Sequence, residues 1–106
     1  MRRKFNIKSK NPGSVNMTSK EVKIVNNVGL HARPATFFIQ KANSYKSSIW
    51  IEREDHKVNA KSLLGVLSLG IVKDMTVSII ADGADEAEAV DGLKLLIESS
   101  FDEQYL

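Results

Sequence analysis

At 106 residues the chain has room for one good hydrophobic core and not for two. Apolar residues at 42% and charged ones at 26% exclude the composition of a disordered chain, and the lack of cysteine excludes disulfides and thiolate metal sites. No apolar run approaches the roughly 18 residues that cross a bilayer, so membrane insertion is not expected, and a basic start without a hydrophobic region behind it points to a cytoplasmic setting. The formal charge of +2 is unevenly placed: Arg2, Arg3, Lys4, Lys8 and Lys10 stand in residues 1–16 without an acid, while the rest of the chain holds ten basic and thirteen acidic groups. The basic excess thus belongs to a short segment ending in NPGSVN, a linker composition, and direct nucleic-acid binding by the folded part is not expected. Residues 1–16 read as a basic flexible extension or leader, Met17 as an alternative start, and residues 17–106 as the domain.

From Lys20 the pattern becomes regular. Val22 and Ile24 alternate with Glu21 and Lys23, which predicts a strand over roughly 19–25 with one face buried. After the break NNVGLH, Ala35, Phe38, Ile39 and Ala42 fall on one helical stripe, predicting a helix over about 32–43. SSIWIER and HKVNA then alternate around Glu54-Asp55 as a hairpin, although the turn lacks the favoured Asn-Gly or Asp-Gly pair. KSLLGVLSLG is bounded by Ser62, a capping residue, and Gly70, a stopping residue, and predicts a short second helix. MTVSIIA alternates Val77, Ile79 and Ala81 against Thr76, Ser78 and Ile80 as a fourth strand. In DGADEAEAVDGLKLLIESSF, leading acids precede Val90, Leu93 and Ile97 at helical spacing, which predicts a third helix. The order β-α-β-β-α-β-α, without strict βα alternation, favours an α+β two-layer architecture, an antiparallel sheet with helices on one face.

The stretch VGLHARPAT, residues 28–36, is the one with chemistry in it. Pro34 in a first helical turn loses nothing, because its missing N–H is one that a helix start leaves unpaired. His31 then occupies the N-cap position at the positive end of the helix, where free amides can receive the oxygens of an anion carried on the ring. Arg33 can add a charge-assisted contact to the same anion. Histidine on phosphorus forms a labile P–N bond, which suits a group accepted from one partner and passed to another. No cluster of metal-ligating residues accompanies it, and no cofactor is implied. From these residues alone, a surface cap or packing role for the histidine stays open beside the phosphoryl reading.

GLHARPAT, followed by NAKSLLGVLSLGI at residues 59–71, resembles HPr, the histidine-containing phosphocarrier of the bacterial phosphoenolpyruvate:sugar phosphotransferase system. The likeness covers residues 18 to about 101. It implies an open-faced β-sandwich, βαββαβα, with a four-stranded antiparallel sheet and three helices on one face. It also implies that His31 accepts a phosphoryl group at Nδ1 from enzyme I and delivers it to enzyme IIA proteins of sugar permeases, with Arg33 assisting. By the same resemblance Ser62 matches a serine phosphorylated by HPr kinase/phosphorylase, which slows transfer from enzyme I and recruits a catabolite-control transcription regulator. Leu63, Leu64 and Leu67 match the partner-docking surface. Such a protein is a carrier and not itself an enzyme, and a monomer is expected of a carrier that shows one face to successive partners.

Two readings of different class remain: a phosphocarrier with a regulatory serine, and a binding module that works only through phospho-Ser62. Relatives of the second kind have replaced the histidine, so His31 together with Arg33 discriminates between them. The remaining polar residues receive plainer readings. His56 is expected to be exposed at the hairpin, and Trp50, out of phase with Ile49 and Ile51, is expected on the opposite sheet face. Asp82, Asp85, Glu86 and Glu88 are expected to stabilise a helix start, and Ser62 read from the residues alone is an N-cap.

Overall fold

The computed structural model describes residues 17–106, and the basic segment before them, read above as an extension, lies outside the described residues. The order is β1 (Thr18–Lys23), α1 (Ala32–Asn43), β2 (Ser48–Arg53), β3 (His56–Asn59), α2 (Leu63–Ser68), β4 (Thr76–Asp82) and α3 (Glu86–Glu98), closed by a 3-10 turn at Glu103–Tyr105. The strands form one antiparallel sheet in the order β1-β4-β2-β3, and the helices pack on one face, the α+β architecture expected.

Period two in the strands decides which face is covered. Val22, Ile49, Ile51, Val77, Ile79 and Ala81 point into the core, while Ser78 and Ile80 lie on the uncovered face with Trp50, as its phase predicts. On the helical side Ala35, Phe38 and Ala42 of α1 meet Ala89, Val90, Leu93, Leu96 and Ile97 of α3, all fully buried. Burying a residue of the size of Phe38 or Leu93 contributes about 1.5–3 kcal/mol, so these two stripes carry much of the stability of the layer.

The element boundaries moved where local geometry overrides periodicity. β1 ends at Lys23, because Val25 turns outward, although the Ile24 amide still donates to the Met75 carbonyl at 2.8 Å. The third helix, for which the sequence reading set no start, begins at Glu86, after Gly83, which at φ 156 packs directly on Ser47, where a Cβ would lie 2.5 Å from the Ser47 hydroxyl. The hairpin turn is made with Glu54 at φ 56, a left-handed residue that glycine or asparagine would occupy with less strain. The 3-10 turn has no counterpart in the sequence reading.

Candidate functional site

The loop between β1 and α1 is clamped before the helix begins. Asn26 closes it twice: its carbonyl accepts from the Gly29 amide at 3.2 Å, and its side-chain Nδ2 donates to the Gly29 carbonyl at 2.9 Å. Gly29 sits at φ 64 against the segment before β4, where a Cβ would stand 2.3 Å from the Ile71 carbonyl oxygen, so only glycine fits. The Leu30 amide donates to that same oxygen at 3.1 Å and its side chain is fully buried, which anchors the chain one residue before His31.

His31 is the N-cap of α1 in extended conformation, φ −126 and ψ 159, and its side chain makes no capping hydrogen bond. The imidazole is exposed. It is therefore held by its backbone and left free at its ring, beside the amides of Ala32 and Arg33, which precede the first i→i−4 bond of the helix. The next residue departs from the expected helical turn. Ala32 has φ 52, so the right-handed helix proper begins at Arg33. The cause is the clamp: with Leu30 fixed on Ile71 and the stripe beginning at Ala35 fixed in the core, the chain must reverse within one residue, at a cost of about 1 kcal/mol or more for a non-glycine residue. The Arg33 guanidinium lies over the Phe37 ring, 5.2 Å from its centroid, a cation–π contact one turn along.

Ser62 caps α2 from an extended conformation, its hydroxyl accepting from the Gly65 amide at 3.1 Å. Leu63 and Leu64 are exposed, at 45% and 80%, Leu67 is half-buried, and Val66 and Leu69 turn inward, which leaves the apolar patch that the sequence led us to expect. The start of α2 is tied to the far end of α1, where Asn43 Nδ2 donates to the Lys61 carbonyl at 3.4 Å. The segment after α2 returns to the His31 loop through the Leu30–Ile71 bond. His31 and Ser62 thus stand at opposite ends of α1, whose 12 residues span about 18 Å.

Two features near His31 were missed. One is the strained Ala32, for which the residue type gives no signal. The other is an apolar rim of Val25, Val28 and Val72, exposed at 41%, 56% and 43%, whose only trace in the sequence is valines lying outside any strand phase. The acidic cluster was read too simply. Asp85 is the N-cap of α3 but spends its carboxylate across the layer, accepting from the Lys46 and Ser47 amides, both at 2.9 Å, and from the Ser47 hydroxyl. The Ser47 hydroxyl, followed by these amides, lowers the Asp85 pKa to about 2. Glu86 accepts from the Thr18 hydroxyl and from the Gly83 amide. His56 is exposed, as expected. Among the described residues no group of His, Asp and Glu has metal-binding geometry, and no helix is long and apolar enough to cross a membrane.

The chain is similar to known proteins over most of its length. The family model described as "PTS HPr component phosphorylation site" matches residues 18–99. The HPr-like protein Crh of Halalkalibacterium halodurans is 45% identical over 82 residues, covering 77% of this chain and 98% of its own. The phosphocarrier protein HPr of Neisseria meningitidis is 40% identical over 87 residues, 82% of this chain and 98% of its own. The crystal structure of HPr-C-His from Thermoanaerobacter tengcongensis superposes with a TM-score of 0.78 at 46% identity, covering 79% of this chain and 94% of that one. With the family's own model spanning both the His31 and the Ser62 segments, and the sheet and helices matching solved members, the chain belongs to the HPr family of phosphocarrier proteins.

Proposed function

We propose that the protein carries phosphoryl groups for sugar uptake, accepting one from phospho-enzyme I on His31 and passing it to enzyme IIA domains. The observation that carries the reading is the exposed imidazole of an N-cap residue that does no capping, set beside the free amides of a helix start. In the accepting step a P–N bond forms at the ring as the donor's bond to phosphorus breaks, and the negative charge of the phosphoryl oxygens falls toward the α1 amides and the Arg33 guanidinium. The reverse event at enzyme IIA leaves the carrier unchanged, so it is a shuttled reactant and not a turnover catalyst. It works as a monomer in the cytoplasm, presenting Leu63, Leu64 and Leu67 to each partner in turn.

Ser62 is the regulatory site, phosphorylated by HPr kinase/phosphorylase and then recognised by a catabolite-control transcription regulator. Ser62 caps α2, whose start is tied to the end of α1 away from His31, so a charge there is expected to act through the docking face beside Leu63 and Leu64. The likeness to Crh favours a second reading, a module acting through phospho-Ser62 alone.

One experiment separates the two. The protein is incubated with phosphoenolpyruvate and enzyme I, and the product is weighed intact before and after acid. An acid-labile gain of one phosphoryl group, absent in His31→Ala and kept in Ser62→Ala, is expected of the carrier. Labelling retained in His31→Ala would overturn the assignment of the acceptor, and no labelling of the unaltered protein would leave the regulatory module as the function.

A further inference from the structure

At the edge of the uncovered sheet face where β2 begins lies a hollow of about 200 Å³ lined by Lys46, Ser47, Ser48, Ile49, Trp50, Asn59 and Lys61, the last of them next to Ser62 in the chain. Trp50 and Asn59 are register partners on β2 and β3, which sets the indole beside the Asn59 amide. A third cation joins from the next outward position of β3: the Lys57 ammonium stands over the Trp50 ring, 5.4 Å from its centroid.

The lining carries lysines and no acid. Among the described residues Lys46, Lys57 and Lys61 belong to no ion pair, and the Lys61 ammonium is held by a neutral acceptor, the Tyr45 carbonyl, at 2.8 Å. The nearest acids lie outside the lining: Asp85 accepts from the Lys46 and Ser47 amides and from the Ser47 hydroxyl, while Glu52 and Asp82 stand on the same face, opposite Lys57 and Ser48 in register. Neutral donors complete the set. The Ser48 hydroxyl lines the hollow, and Asn59, whose side-chain oxygen accepts from the Lys61 amide at 2.8 Å, keeps its NH2 as a donor.

We propose that this hollow binds a phosphomonoester, its phosphoryl group between Lys46 and Lys61 and its organic part against Trp50, with Lys57 moving from the indole to the phosphate. Three ammonium groups and two neutral donors match a dianion with three terminal oxygens. The hollow is smaller than a closed ligand pocket, so it takes the phosphate and the atoms next to it and leaves the remainder on the surface. Neither His31 nor Ser62 takes part, so the site is independent of the carrier reading.

Trp50 is the single tryptophan of the chain, so its emission reports the site directly. The test titrates the whole protein with ribose 5-phosphate, with adenosine monophosphate and with inorganic phosphate, at ionic strength matched by sodium chloride. Saturable changes with both esters are expected, with dissociation constants on the order of 1 mM for so open a site. Lys46→Gln and Lys57→Gln, neither of which removes a backbone contact of Lys61, should each weaken binding about fivefold. Tighter binding of the nucleotide identifies a ring on Trp50, and equal binding of the two esters identifies a sugar phosphate. No saturable change, a response reproduced by sodium chloride alone, binding of inorganic phosphate as tight as that of either ester, or unchanged constants in both variants would overturn the proposal.

Discussion

Ala32 is where a side chain and a backbone disagree. A methyl group at φ 52 is strained, and Ala32→Gly should raise stability by about 0.5–1 kcal/mol, read as a higher urea midpoint at unchanged slope. Three residues earlier the opposite change is severe: Gly29→Ala drives a Cβ to 2.3 Å from a backbone oxygen that cannot move away, and should cost more than about 2 kcal/mol in thermal or urea unfolding. These neighbours show how far single residues could be read. His31, Pro34 and Ser62 were legible because each type has a positional meaning at a helix start. Gly29 was legible as a break, but its reason, the Ile71 oxygen, lies more than forty residues away. Nothing about an alanine announces a left-handed backbone, which the clamp on Leu30 imposes.

At the scale of elements, caps decide more than propensity. In α2, only six residues long, the Ser62 hydroxyl satisfies one of the few amides the helix leaves open, so Ser62→Ala should cost about 1 kcal/mol in equilibrium unfolding. α3 ends without glycine: Ser100 and Phe101 have φ 58 and 65, and the Phe101 amide reaches back to the Leu96 carbonyl at 2.8 Å. Ser100→Gly should therefore stabilise by about 0.5–1 kcal/mol, and an unchanged melting temperature would count against strain at this turn. The strands and the two long helices could be read because their periods, two and 3.6, recur over enough residues to mark a face. The 3-10 turn after α3 is too short to carry a period, and the start of α3 depends on Gly83 meeting Ser47, a tertiary contact.

Across the whole molecule, Asp85 fastens the start of α3 to the start of β2. Its pKa is about 2 in the fold and ordinary in the unfolded chain, so its contribution is complete above about pH 4 and is lost as pH falls toward 2. The free energy of unfolding should decline over that window, and Asp85→Asn should be less stable at neutral pH with a shallower acid dependence. Identical slopes for the two proteins would remove Asp85 from this role. That the layers form around one sheet was evident from the order of elements, whereas the strand order β1-β4-β2-β3 was not, because alternation marks faces and says nothing about neighbours. That order has a consequence for biosynthesis. β1 waits for β4, made last of the strands, and the Leu30 amide waits for the carbonyl of Ile71, so contacts of long sequence separation must close before the loop before α1 is shaped. A nascent chain that has not yet reached Asp82 carries His31 but lacks the backbone that presents it. On the carrier function proposed above, unfinished copies on the ribosome would then be poor acceptors, and phosphoryl groups would be drawn off only by chains whose synthesis has passed the last strand.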